Sequence, residues 1–258
     1  MAAHHPRLLA ITFYGMLPRF NREAPSPATC EKAGLDVLAH LVLPALRDRV
    51  VRTALRSTTG NDGGFDKVHI YGHTFDIANK SQCSLRMSLL STLHSTFGPS
   101  MIGVVDVLAL GATNLALAMA SAPIQALHKR YPESIAHRHI DLFSMEQAVG
   151  LLTNGMAGTT PVLMLRWDCI FWAPTSLHTL NYHLFYRANW CAATRSPAVP
   201  GECIPMKPTS IPGCTAGNAS DAPGVPDYWF VANASAMRLV FYSALSDLVA
   251  GRWACILN

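Results

Sequence analysis

Arg166 and Asp168 are the only charged residues in the run Val162-Leu163-Met164-Leu165-Arg166-Trp167-Asp168-Cys169-Ile170-Phe171-Trp172. Charged side chains are rarely buried unless they are paired or coordinated. An Arg can fork onto phosphate, and an Asp can hold a divalent cation or orient the Arg. The four residues before Arg166 read as a strand buried on both faces, the signature of a parallel sheet. A carboxylate where such a strand ends lies at the rim where open α/β sheets place their ligands. A purely structural Arg–Asp pair at a strand end explains this segment equally well, so the rest of the chain must decide.

Three further segments put polar residues where a strand should end: Gly15–Arg19, His73–Asp76 and Asp227. The elements that would position them recur in alternation. Leu8–Tyr14 reads as a first strand, followed by a helix from about Ala28 to Arg56 that Pro44 should kink or split. A polar loop from Thr58 to Gly64 leads to a second strand over Asp66–Gly72, so His73–Asp76 should lie at its rim. Ser84–Phe97 is expected to be a helix, Ile102–Val107 a third strand, and Asn114–Tyr131 helical with a break near Pro123. Ser144–Leu152 reads as a short helix opened by a Ser144/Gln147 capping box. The Val162 strand follows, then a short strand within Tyr182–Arg187. Residues 196–226 are rich in Pro, Gly, Ser and Thr and read as a long loop, an acceptor loop or lid. Asp227–Ala232 and a helix from about Ser235 to Val249 close the chain. This order predicts an α/β fold with a doubly wound, mostly parallel sheet in a single domain spanning residues 1–258.

Composition narrows the function classes. With 258 residues, 50% of them hydrophobic and 14% charged, the chain has a globular composition and can bury a sizeable core. The net charge of +4 comes from scattered Lys and Arg, with no basic stripe and no zinc-finger spacing, so no nucleic-acid partner is expected. No segment reads as a membrane span; Met101–Leu127 is interrupted by Asp106, Asn114 and Pro123. The seven cysteines form no C-x-x-C pair, which fits reduced thiols and a cytoplasmic location. A disulfide among Cys191, Cys203 and Cys214 would instead suit the lumen of the secretory pathway. There is no G-x-G-x-x-G after the first strand, no Walker loop, no G-x-S-x-G elbow and no H-E-x-x-H. Of the eleven histidines, His137 and His139 read as flanking Arg138 in a surface loop.

Four motifs in order carry a resemblance: Tyr14-Gly15-Met16-Leu17-Pro18-Arg19, His73-Thr74-Phe75-Asp76, Leu165-Arg166-Trp167-Asp168-Cys169-Ile170-Phe171 and Asp227-Tyr228-Trp229-Phe230-Val231-Ala232. Taken together they resemble a family of glycosyltransferases found in polysaccharide-synthesis contexts and in large DNA viruses and algae, over roughly Leu8 to Leu248. The resemblance implies a GT-A-like fold, a nucleotide-sugar donor and a glycan or other hydroxyl acceptor. Under it, Gly15, Arg19, His73, Asp76, Arg166 and Asp168 would line the donor, and Asp168 would carry Mn²⁺ or Mg²⁺. Asp227 would take the acceptor's proton as the catalytic base, and Trp172 or Trp229 would stack on a sugar face. The chain departs from the full pattern in two places. Cys169-Ile170 stands where a second acidic residue would complete the metal motif, and no His follows His183.

Two other readings stay in play. One is a catalytically inactive protein that binds a sugar or nucleotide on the same fold. The other is an unrelated α/β enzyme using Cys169 or Cys191 with a histidine.

Overall fold

The computed structural model describes residues 7–17, 34–55, 64–76, 85–109, 132–152, 156–187, 191–192, 204–205 and 229–242. Strands β1 (Leu8–Tyr14), β2 (Lys67–Asp76), β3 (Ile102–Ala109) and β4 (Pro161–Arg166) are joined by β8 (Trp229–Asn233) and the short β5 (Tyr186–Arg187). They form one sheet in the order β3-β2-β1-β4-β8-β5. β1 to β4 run parallel, whereas β8 is antiparallel to β4 and β5 antiparallel to β8. A separate two-stranded pairing joins β6 (Cys191–Ala192), just before the Pro-rich region, to β7 (Ile204–Pro205) within it. The expected α/β fold with a mostly parallel sheet is therefore present.

Successive strand residues point to opposite faces, and each face carries its own helices. Leu9, Ile11, Phe13, Val68, Ile70, Leu163 and Leu165 pack with Leu38, Val42 and Leu46 of helix α1 (residues 34–54) and with Leu89 and Leu93 of α2 (Leu85–Phe97). Ala10, Tyr14, Phe75, Val162, Met164 and Phe230 face α3 (Pro132–Leu151) and α4 (Ala234–Phe241). The sheet is thus doubly wound. From β1 the chain moves outward through β2 to β3, then crosses back to lay β4 on the other side of β1. That reversal makes the gap between the C-terminal ends of β1 and β4 a topological switch point, where open α/β sheets bind ligands.

Several local expectations change. Pro44 does not split α1. The helix absorbs it by widening: the Leu43 amide bonds to Leu38 and the Arg52 amide to Arg47, both five residues back. Such π turns re-register the ladder around a residue that cannot donate. β2 does not stop at Gly72, because its pairing with β3 continues through Asp76 opposite Ala109. His73 and Thr74 are therefore interior strand residues. Ser144 caps nothing, since α3 begins at Pro132 and Ser144 lies inside it; His137 and His139 fall in that helix rather than in a loop. The stretch Asn114–Tyr131, and residues 196–226 apart from β7, lie outside the described residues.

Candidate functional site

β1 ends at Tyr14, opposite Arg166 at the end of β4. Gly15 follows with φ of +85°, a left-handed conformation that favours glycine. A Cβ there would stand 3.2 Å from Asp141 Oδ1 and 4.0 Å from Arg166 Cγ, so the turn threads between α3 and β4. Across the gap, the Cys169 amide donates to the Arg166 carbonyl at 3.1 Å and closes a turn over Trp167 and Asp168. Within that turn the Arg166 Nε and Nη2 donate to the two Asp168 carboxylate oxygens at 3.0 and 2.7 Å. Both side chains keep solvent contact, 28% exposed for Arg166 and 36% for Asp168.

Beneath these turns lies a buried network. The Trp167 amide donates to the Tyr14 carbonyl at 3.3 Å, and its indole Nε1 donates to the His73 carbonyl at 2.8 Å. The indole stacks on Phe13 with ring centres 4.2 Å apart, and it leaves no room for a side chain at Gly72. On the opposite face the Gly15 amide donates to Ser144 Oγ at 2.6 Å, and that hydroxyl meets His73 Nδ1 at 2.8 Å. His73 is fully buried, edge-on to Phe75 and near Phe143. Burial pushes its imidazole down to about 4, only partly offset by Asp106, which neighbours it in register on β3. The ring is neutral at physiological pH, and its Nε2 has no hydrogen-bond partner among the described residues.

Ser144, His73 and Asp106 are the residue types of a hydrolytic triad, but the arrangement cannot serve as one. Both His73 and Ser144 are sealed from solvent, and the Ser144 oxygen is occupied by the Gly15 amide. For Cys169, burial raises the thiol to about 12, which removes the thiolate a nucleophile requires, whereas the Cys191 side chain lies outside the described residues.

The structure brings Gly15, Arg166 and Asp168 to one rim and puts His73 in the core behind them. Trp172 is 80% exposed on the chain leaving the Asp168 turn, whereas Trp229 is half-buried against the α1 side of the sheet. Asp76 ends β2, with its side chain outside the described residues; Arg19 and Asp227 lie outside them altogether. Because β8 is antiparallel, its first residue, Trp229, stands opposite Leu165 at the same rim, two positions after Asp227 in sequence. Sequence reasoning missed Asp141 and Ser144. Their signal was a polar pair at i and i+3, on one side of a helix that is otherwise apolar toward the sheet.

The described residues at this rim do not fit a bound Mn²⁺ or Mg²⁺. Among the described residues no three His, Cys, Asp or Glu side chains converge on a point, and Arg166 engages both Asp168 oxygens. No protein family matches the chain, and a search of curated proteins finds no relative.

Proposed function

We propose that the protein is a glycosyltransferase of GT-A-like architecture, moving a sugar from a nucleoside-diphosphate sugar to a hydroxyl of a glycan or other acceptor. The observation that carries this reading is the convergence of the Gly15 turn and the Arg166–Asp168 turn at the switch point between β1 and β4. A diphosphate is the ligand chemistry such a rim suits: a turn without a side chain lets it approach, and a guanidinium fork neutralises it.

In this mechanism Arg166 stabilises the charge that builds on the leaving diphosphate as the bond to the anomeric carbon breaks. Asp168 holds the guanidinium in a fixed plane until the phosphate arrives. Asp227 takes the proton of the attacking acceptor hydroxyl. Trp172 offers an exposed ring on which a sugar face can stack. No step is assigned to a metal ion.

A second reading, a catalytically inactive binding protein on the same fold, draws on one feature of the rim. Asp168 is fully engaged by Arg166, so it is not available to hold a cation. Release of UDP, GDP or CMP from the corresponding nucleotide sugars, with water or oligosaccharides as acceptor, separates the two. Turnover in the wild type that disappears in Asp227→Asn while donor binding persists supports transfer. Donor binding with no turnover in the wild type supports the binding protein.

A further inference from the structure

The Gly15 amide, the Ser144 hydroxyl and the His73 ring form a relay that runs from the rim into the core. The same His73 residue receives the Trp167 indole on its carbonyl, so the two turns of the candidate site both hang on one buried strand residue. We propose that His73 and Ser144 are positioning residues: they fix the Gly15 turn against the Arg166–Asp168 turn, and so set the gap that an anionic ligand must span. This rests on the diphosphate-binding reading above for the identity of that ligand, but the relay itself does not.

Three observations support the assignment. Gly15 donates its amide inward at 2.6 Å, so that amide locks the turn against α3. The Ser144 hydroxyl, mid-helix and fully buried, bridges to two other elements, the Gly15 turn and β2. His73 occupies an aromatic pocket beside Phe75 and Phe143, where a buried polar ring is tolerated only with a partner. Removing one hydroxyl therefore unlocks the Gly15 amide without touching the exposed face of the rim.

The test uses the full chain with pyrophosphate, UDP, GDP and CMP as probes, comparing wild type, Ser144→Ala, His73→Leu and His73→Asn. Amide hydrogen exchange of Gly15 and nucleotide affinity are both measured. Ser144→Ala and His73→Leu should speed Gly15 exchange and weaken the best probe, each by about tenfold, the scale of one lost buried hydrogen bond. His73→Asn, whose amide reaches where Nδ1 stands, should recover affinity to within about threefold of wild type. A folded Ser144→Ala protein with Gly15 exchange and affinity unchanged to within about twofold overturns the proposal. Rapid Gly15 exchange in the wild type overturns it as well, with no variant needed. If the wild type binds none of the probes, the diphosphate reading fails, and Gly15 exchange in Ser144→Ala still decides whether the relay holds the turn.

Discussion

The indole of Trp167 reaches from the end of β4 across β1 to donate to the carbonyl of His73 within β2 at 2.8 Å, lying flat on Phe13 over the bare backbone of Gly72. This one side chain ties the last turn of the apolar Val162 run to the neighbouring strands. It also keeps the Arg166–Asp168 turn from shifting relative to β1.

Gly72→Ala tests that tie. An added Cβ would meet the indole at 2.5 and 2.8 Å, where only movement of Trp167 relieves it. The substitution should cost about 1–3 kcal/mol in urea unfolding, the usual cost of overpacking a tight core. An unchanged midpoint would mean that Trp167 is loosely held.

Gly15→Ala should act on the rim itself. The left-handed φ of +85° strains any other residue, and the new methyl would crowd Asp141 Oδ1. A stability loss of about 1–2 kcal/mol is expected from the backbone term alone. It should come with weaker nucleotide binding, read by calorimetry.

His73 predicts a pH dependence. Its ring is pushed down to about 4 in the folded chain, from an ordinary value of 6.5. Between those values the unfolded chain binds a proton that the folded chain refuses, so stability falls as pH drops through that window and levels off below it. The full effect is on the order of 3 kcal/mol. Unfolding of wild type and His73→Asn from pH 7 to pH 4 checks this, because only the wild type should carry that component.

Cys169 should be chemically silent. With its thiol raised to about 12, alkylation by iodoacetamide at pH 8 should be slow in the folded chain, and Cys169→Ser should retain nucleotide binding and turnover. Rapid, inactivating alkylation of Cys169 would revive the cysteine-nucleophile reading.

The sequence made the sheet readable because buried parallel strands are continuous apolar runs, as in Val162–Leu165, which is buried at every position. The rim at Arg166 was readable for the same reason, since charge stands out against such a run. What stayed hidden depends on tertiary partners. Nothing in Lys67–Asp76 marks where β2 stops, because its last residues are kept in the strand by β3. Ser144 looked like a cap, since Ser followed by Gln three residues later is a local pattern that cannot reveal a helix already under way. Its real partners, His73 and Gly15, lie 71 and 129 residues away. The antiparallel course of β8 was equally hidden, because a five-residue apolar strand carries no mark of direction.

The central claim is that an anionic nucleotide binds between the Gly15 turn and Arg166. A thermal-shift panel of UDP, GDP, CMP and their common sugar conjugates, with and without Mn²⁺ or Mg²⁺, tests it on wild type and Arg166→Ala. A ligand at about a hundredfold its dissociation constant stabilises a fold by about 2.7 kcal/mol, roughly 5–10 °C for a chain of this size. The account predicts such a rise with one nucleotide class, lost in Arg166→Ala while the unliganded melting temperature stays near that of wild type. A well-folded wild-type sample whose melting temperature no nucleotide moves, or a rise that survives Arg166→Ala intact, would contradict it.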